Sequence, residues 1–251
     1  MSTPENEDFF VGYLPMPTRL KRFVLLTSAA LLLGCLSFAS LTAALREAPA
    51  SSTLRPNVSL VGLVEARAYG ILWTLDADGK TSPVLLSRGG KLGAPEAVTK
   101  LAGSFAQLSG LLLERDGYRL LEVAKVEPEK TLDPSQRAQL QQRARVDSGD
   151  EQTLRGEIVD LKCWLGRMKP GDGRTHRACA QFCIAGGIPP VLVSRDRAGV
   201  ERRYVLTSRD GGPVNDAVLP YVAEAVELDG KLETSGDLLL LRIDPTHIRR
   251  L

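Results

Sequence analysis

A run of 23 residues without a charged side chain, Phe23 to Leu45, constrains this chain more than any other feature. As an α-helix that rises about 1.5 Å per residue, it would be roughly 34 Å long, which is enough to cross the hydrocarbon core of a bilayer. Three basic residues lie between positions 19 and 22, and basic residues are sparser after the run, which favours a cytoplasmic N-terminus. The run therefore predicts a single transmembrane helix, a cytoplasmic leader at residues 1–22 and an exported C-terminal part.

Two other interpretations of the apolar run stay open. The sequence Ala48-Pro49-Ala50 fits the site of a cleaved signal peptide, although the run is longer than a usual signal-peptide core and begins only at position 23. Leu32-Leu33-Gly34-Cys35 resembles a lipoprotein signal, but a lipidated Cys normally ends the apolar run, and this run continues to Leu45. A retained membrane helix is the favoured interpretation.

The composition is that of an ordinary globular protein, with 43% apolar residues, 25% charged residues and a net charge of +2. These values exclude a mostly disordered chain and a polytopic membrane protein. Because nucleic-acid binders usually carry a strong basic excess, we expect no nucleic-acid partner. The sequence contains no phosphate-binding loop, zinc-protease motif or nucleophile elbow, so we assign no catalytic residues and favour binding over catalysis.

The exported part divides into two β-rich domains and two linkers. Residues 46–57 and 128–152 have the composition of linkers, with a short helix predicted after Asp133-Pro134. Residues 58–127 and 153–251 contain short apolar runs that are separated by turn signals. We predict a mainly β fold in which the N-terminal transmembrane helix is followed by two tandem OB-like small β-barrels, with a β-sandwich as the alternative.

Local similarities between the two domains indicate an internal repeat. Four pairs of segments match: Leu60–Glu65 with Leu154–Val159, Pro83–Arg88 with Pro190–Arg195, Phe105–Leu111 with Val226–Leu232, and Tyr118–Val123 with Leu238–Ile243. The domains differ in length, because Gly156 and Gly230 lie farther apart along the chain than their counterparts Gly62 and Gly110. We therefore predict an insertion in the second domain, at positions 161–188, that accounts for the extra length.

The predicted insertion contains one helix with recognisable ends. Thr175 is expected to cap a helix over His176–Ala185. Gly186-Gly187 is expected to end it in the left-handed conformation, and the prolines that follow bar its continuation.

Three of the four cysteines and one of the two histidines lie in this insertion. His176, Cys179 and Cys183 are spaced i, i+3 and i+7 and so share one helix face, and Cys163 lies near the end of the preceding strand. Three Cys and one His suffice for a tetrahedral metal site, and thiolates suit zinc, copper or iron, so the identity of the metal stays open. Asp160 is the candidate hydrogen-bond acceptor behind these ligands.

Two alternatives to a metal site remain. Exported cysteines usually form disulfides, and Cys163 paired with Cys179 or Cys183 would staple the insertion and leave one thiol over. Cys179 and Cys183 make poor partners for each other, because they lie one helical turn apart on the same helix. A thiol-based redox site is the third interpretation.

The run GEIVDLKCWLGRMKPGDGRTHRACAQFCIAGGIPP resembles a signature of poorly characterised bacterial proteins that are exported or membrane-anchored. In that family a VVDxxCY strand is followed by HxxCAxxC and a GxP turn, and Trp164 stands here in place of the Tyr. The resemblance implies a Cys/His site at Cys163, His176, Cys179 and Cys183, and it brings no established activity. We expect a protein of the bacterial inner membrane whose C-terminal domains are periplasmic.

These features predict a membrane-anchored extracytoplasmic accessory protein that holds a metal or redox centre beside a membrane protein complex, such as an electron-transfer complex. The alternative is a structural or assembly subunit whose cysteines form a disulfide staple. The third exported cysteine separates the two hypotheses, because a metal site uses all three thiols and a staple uses two.

Overall fold

The computed structural model describes residues 16–45, 52–142, 147–196 and 199–251. The chain divides into two compact units, Met1–Pro49 and Ala50–Leu251. Helix α1 spans Thr18–Leu45, and among the described residues it is the one helix that is long and apolar enough to cross a membrane. Most of the leader and the small-residue sequence at 48–50 lie outside the described residues.

Five strands of the second unit close into a first barrel in the order β1-β2-β3-β5-β4, in which β3 and β5 run parallel. The turn between β4 and β5 has the left-handed geometry of a two-residue hairpin, with φ of 49° at Asp116 and 81° at Gly117. The elements are β1 (Thr53–Ala66), β2 (Gly70–Leu75), β3 (Thr81–Arg88), α2 (Glu96–Thr99), β4 (Phe105–Arg115) and β5 (Tyr118–Pro128).

Helix α3, Pro134–Gln141, follows β5 and confirms the helix predicted after Asp133. Asp133 accepts a hydrogen bond from the Gln136 amide, and the Gln136 side chain accepts one from the Asp133 amide, which forms a capping box. Leu140 is buried in the core. The segment 128–152 is therefore not a linker throughout.

A second barrel repeats the connectivity in the order β6-β7-β8-β10-β9, with β8 and β10 parallel. Both predicted linkers are shorter than expected, because β6 begins at position 147 and β1 at position 53. The elements are β6 (Asp147–Asp160), α4 (Arg177–Ala185), β7 (Pro190–Arg195), β8 (Glu201–Ser208), α5 (Asn215–Val218), β9 (Ala225–Ser235), β10 (Leu238–Ile243) and β11 (Arg249–Arg250), which pairs with β9.

The two barrels match strand by strand at a constant spacing. β2, β3, β4 and β5 begin at positions 70, 81, 105 and 118, and β7, β8, β9 and β10 begin at 190, 201, 225 and 238, so all four pairs have the same offset. The offset between β1 and β6 is smaller, so the extra length lies between the first two strands of the second barrel. The predicted match of Pro190–Arg195 with Pro83–Arg88 is wrong, because β7 is the counterpart of β2; the shared apolar sequence reflects the burial of both strands.

The barrels share buried core rather than standing apart. One apolar cluster contains Trp73 and Leu85 from the first barrel together with Val191 and Val205 from the second. The hydroxyl of Tyr69 crosses between them and donates to the carbonyl of Leu206 at 3.0 Å. Domains of this size bury little surface alone, so this common core stabilises both.

Candidate metal centre

The connection between β6 and β7 runs from position 161 to 189, whereas β1 and β2 are joined by positions 67–69 alone. It makes a wide helical turn over Cys163–Arg167 and returns through a short 3-10 turn, Arg174–His176, into α4. The loop between these turns folds back tightly, because a Cβ on Gly171 would lie 2.3 Å from the carbonyl oxygen of Cys163. Only glycine fits at that position.

Trp164 fixes the start of this segment against both barrels. The guanidinium groups of Arg115, from β4, and Arg203, from β8, lie 4.3 and 4.8 Å from the centre of its ring. Arg115 also donates to the Trp164 carbonyl at 2.7 Å. These contacts hold the backbone of the neighbouring residue, Cys163.

Only the C-terminal end of α4 agrees with the end predicted from the sequence. Gly187, with φ of 96°, donates to the Ile184 carbonyl, and Ile188 donates to the Cys183 carbonyl, which confirms the left-handed end. At the other end the prediction of Thr175 as a cap is wrong. Thr175 lies inside the 3-10 turn, and its side chain makes no capping hydrogen bond.

The three cysteines of the second unit come together. The sulfur atoms of Cys163, Cys179 and Cys183 lie within 4.8 Å of one another, and all three are free thiols. Cys163 and Cys183 are buried and Cys179 is half-buried. We call these three residues the sulfur cluster.

A second group adjoins the sulfur cluster through Cys163. Ligand atoms of Asp160, Cys163 and His176 lie within 4.8 Å of one another. Asp160 is 0% exposed; one carboxylate oxygen accepts from the Cys163 amide at 2.9 Å, and the other lies 3.0 Å from Nε2 of His176, which is 4% exposed. An ionised Asp160 accepts a hydrogen bond from Nε2–H, and the neutral ring then keeps its lone pair on Nδ1.

The four predicted ligands therefore occupy two adjoining groups. Among the described residues, His176 is grouped with Cys163 and Asp160, and the other two cysteines are grouped with Cys163 alone. Cys163 belongs to both groups. That one ion is bound by all four side chains stays a prediction.

A residue of the first barrel completes the surroundings of the sulfur cluster. Nζ of Lys91, in the loop after β3, lies 2.7 Å from the sulfur of Cys179 and 3.9 Å from that of Cys183. The sequence places Lys91 in an ordinary glycine-rich loop. The Gly-Gly-Lys-Leu-Gly sequence could have indicated that this loop packs closely against another segment, because glycines permit close approach of two backbones.

Residues 89–93, which we call the Lys91 loop, make such a close approach to the end of α4. The amide of Gly93 donates to the Gly186 carbonyl at 2.8 Å, and a Cβ on Gly186 would lie 1.8 Å from the Lys91 carbonyl oxygen. Lys162, only 2% exposed, holds the loop from behind by donating to the carbonyls of Arg88 and Gly90 at 2.8 and 2.7 Å. The position of Lys91 is thus fixed by backbone contacts.

The thiols and Lys91 shift one another's titration. The hydrogen bond between Cys163 and Cys183, together with burial, raises the pKa of Cys163. The same hydrogen bond lowers the pKa of Cys183, and the nearby ammonium of Lys91 adds to that lowering. The hydrogen bond to Cys179 raises the pKa of Lys91. A thiolate at Cys183 and a positive Lys91 are favoured together.

This arrangement suits a soft cation, because thiolates are good ligands for zinc, copper and iron. One further sulfur, Sδ of Met168, lies 3.4 Å from the sulfur of Cys179, and the sequence alone did not single it out. No protein-family model, curated protein or solved structure matches the chain.

Proposed function

We propose that this chain is a membrane-anchored extracytoplasmic accessory protein that binds a metal ion through Cys163, Cys179 and Cys183. The observation that carries the proposal is the gathering of three free thiols from two separate segments within 4.8 Å. A disulfide staple would occupy two of these thiols and leave the third unused, whereas all three lie together here.

The surroundings support a metal ion over isolated thiols. Asp160 accepts from both the Cys163 amide and His176, and carboxylates in that role commonly orient metal ligands. Lys91 provides a positive charge beside thiolates, which offsets the negative charge of a tris-thiolate centre.

The barrels serve as the scaffold of this site. We propose that both are OB-like, since each closes in the strand order 1-2-3-5-4 with strands 3 and 5 parallel and a short helix between strands 3 and 4. The segment 161–189 is then an insertion between the first two strands of the second barrel, on which the site is built.

The anchor gives the site its location. Helix α1 supports a single-pass protein of the bacterial inner membrane with the barrels in the periplasm, where they serve a membrane complex such as an electron-transfer complex. The resemblance of the segment GEIVDLKCW…HRACAQFC to a signature of exported bacterial proteins agrees with this proposed location.

The proposal is tested on the full chain, expressed so that disulfides can form and purified in detergent without chelator or reductant. Elemental analysis should find about one bound metal ion per chain, and denaturation with a chelator should release all four cysteines as reactive thiols. Cys163→Ser and Cys179→Ser should lose the metal, and Cys35→Ser, in the membrane helix, should keep it. No metal and one disulfide under these conditions would favour the structural staple instead.

A further inference from the structure

The sulfur cluster has a fourth sulfur at its exposed edge. Sδ of Met168 lies 3.4 Å from the sulfur of Cys179, and the Met168 side chain is 48% exposed. The Cys179 thiol donates a hydrogen bond to this sulfur, which holds an exposed thioether beside a candidate ligand. A thioether is a soft ligand that suits Cu(I), and it is absent from the usual ligands of zinc.

We propose that the ion held by the cluster is Cu(I), bound by the thiolates of Cys163, Cys179 and Cys183, with the thioether of Met168 as the outer sulfur through which the ion enters and leaves. This inference rests on the proposed function, which assigns a metal to the cluster without naming it.

The histidine that zinc would favour as a ligand is not one of the three residues of the sulfur cluster. Nε2 of His176 lies 3.0 Å from the buried carboxylate of Asp160. Among the described residues, the cluster of three sulfurs includes no nitrogen or carboxylate oxygen, and His176 is grouped with Cys163 alone of the cysteines. A ligand set of sulfur only selects soft ions over borderline ones.

The geometry fits three-coordinate binding. Three sulfurs around one ion at about 2.3 Å are about 4 Å apart. The sulfurs lie within 4.8 Å of one another, so binding requires shifts of less than about 1 Å. Each thiol that becomes a ligand releases its proton to water, and the oxidation state of copper does not change.

Lys91 offsets part of the negative charge of a Cu(I) centre at this place. Cu(I) with three thiolates carries two negative charges, and Lys91 lies 2.7 Å from one sulfur and 3.9 Å from another to offset one of them. The half-buried Cys179 and the exposed Met168 form the open side of the cluster, which leaves a route for exchange with a copper donor or acceptor.

The test compares two metals on the full chain in detergent, under reductant and without oxygen, in a Cys35→Ser background. The protein is titrated against the Cu(I) complex of bicinchoninate, and separately against Zn(II) with a chromophoric chelator. We expect one Cu(I) per chain, displacement of bound zinc by one equivalent of Cu(I), and an X-ray absorption spectrum with sulfur neighbours alone.

Met168→Leu isolates the thioether, and Met16→Leu is the matched control beside the membrane helix. The Met168 variant should weaken Cu(I) binding by about 10-fold and leave zinc binding unchanged, while the control changes neither. Zinc binding without Cu(I) uptake, or nitrogen neighbours around bound copper, would overturn the inference and leave the proposed function standing. Uptake of neither metal would overturn both.

Discussion

The ammonium nitrogen of Lys91 lies 2.7 Å from the sulfur of Cys179, although Lys91 belongs to the first barrel and Cys179 to the second. The first barrel contributes no sulfur to the cluster, but it contributes the neighbouring positive charge. The electrostatics of the site therefore depend on the packing of one barrel against the other. The tight contacts between the Lys91 loop and Gly186 make that packing specific.

Removal of this charge should weaken metal binding. Lys91→Gln keeps most of the length of the side chain but leaves the thiolates without their ammonium neighbour, so we expect the Kd for the bound metal to rise about 10-fold. Lys100→Gln is the control, since Lys100 is exposed and pairs with Glu96 on the surface. Competition with a chelator measures both variants, and equal affinities would assign Lys91 no electrostatic role.

The docking of the Lys91 loop should be sensitive to a single methyl group. In Gly93→Ala the new Cβ would lie 2.5 Å from the Gly187 carbonyl oxygen, so the loop has to move, at a cost of about 1 to 3 kcal/mol. Gly89→Ala is a matched control in the same loop, because nothing lies within 4 Å of its added Cβ.

Thermal unfolding followed by tryptophan fluorescence reports on this change, because Trp73 lies in β2 and Trp164 in the segment that joins β6 to β7, and both are buried. We expect a lower Tm and weaker metal binding for Gly93→Ala, and a change of less than about 0.5 kcal/mol for Gly89→Ala. Similar behaviour of the two variants would contradict the tight contact.

Local features of this fold could be predicted from sequence because their causes are local. The helix start at Asp133 and the left-handed Gly187 each depend on a few neighbouring residues. The difference in length between the two domains also follows from comparing positions along the chain.

The features that the sequence did not predict depend on contacts between residues that are far apart in the chain, and the spacing of residue types does not reveal such contacts. Lys91 reaches Cys179 from a distant part of the sequence, and neither periodicity nor turn chemistry relates two such residues. The misassigned strand Pro190–Arg195 shows the same limit, since apolar sequence reports burial and not which strand of the barrel is buried. Thr175 has the residue type of a cap, but it lies inside the 3-10 turn that precedes α4.

The carboxylate of Asp160 should set the orientation of two neighbours at once. Asp160→Asn retains the shape, but one amide oxygen cannot replace two carboxylate oxygens that serve the Cys163 amide and His176. We expect metal affinity to fall about 10- to 100-fold and stability to fall by about 1 to 3 kcal/mol.

Nitrogen-15 NMR of the His176 ring measures the tautomer directly. The wild-type ring should carry its proton on Nε2, and the variant should lose that preference. Asp172→Asn, an exposed change in the same segment, is the control. An unchanged tautomer and unchanged affinity in Asp160→Asn would remove Asp160 from the site.

Lys162 should contribute more to stability than a surface lysine. Its ammonium is buried, lies 3.2 Å from the carboxylate of Glu122 and donates to two carbonyls of the Lys91 loop. Lys162→Met should lower the free energy of unfolding by about 3 kcal/mol, because buried acceptors lose their donor. Lys125→Met, which removes an exposed pair with Glu127, should change it by less than about 1 kcal/mol. Urea unfolding compares the two, and similar losses would be inconsistent with a structural role for the buried ammonium.

Alkaline pH should loosen the contact between the barrels. Burial raises the pKa of Tyr118 from its ordinary value of 10.0 to about 12, and its hydroxyl donates to the carbonyl of Arg203 in the second barrel. The unfolded chain releases this proton first as the pH rises, so stability is intact below pH 10 and is lost progressively between about pH 10 and 12, by up to about 3 kcal/mol.

Tyr118→Phe separates this titration from general alkaline denaturation. The variant should lose about 1 kcal/mol at neutral pH, because the Arg203 carbonyl loses a donor, and its stability should then fall less steeply above pH 10. Tyr221→Phe, at a half-buried position of the second barrel, is the control. Unfolding curves at several pH values give the slopes. If the free energy of unfolding fell equally steeply with pH in wild type and Tyr118→Phe, ionisation of Tyr118 would not be the cause of the loss of stability.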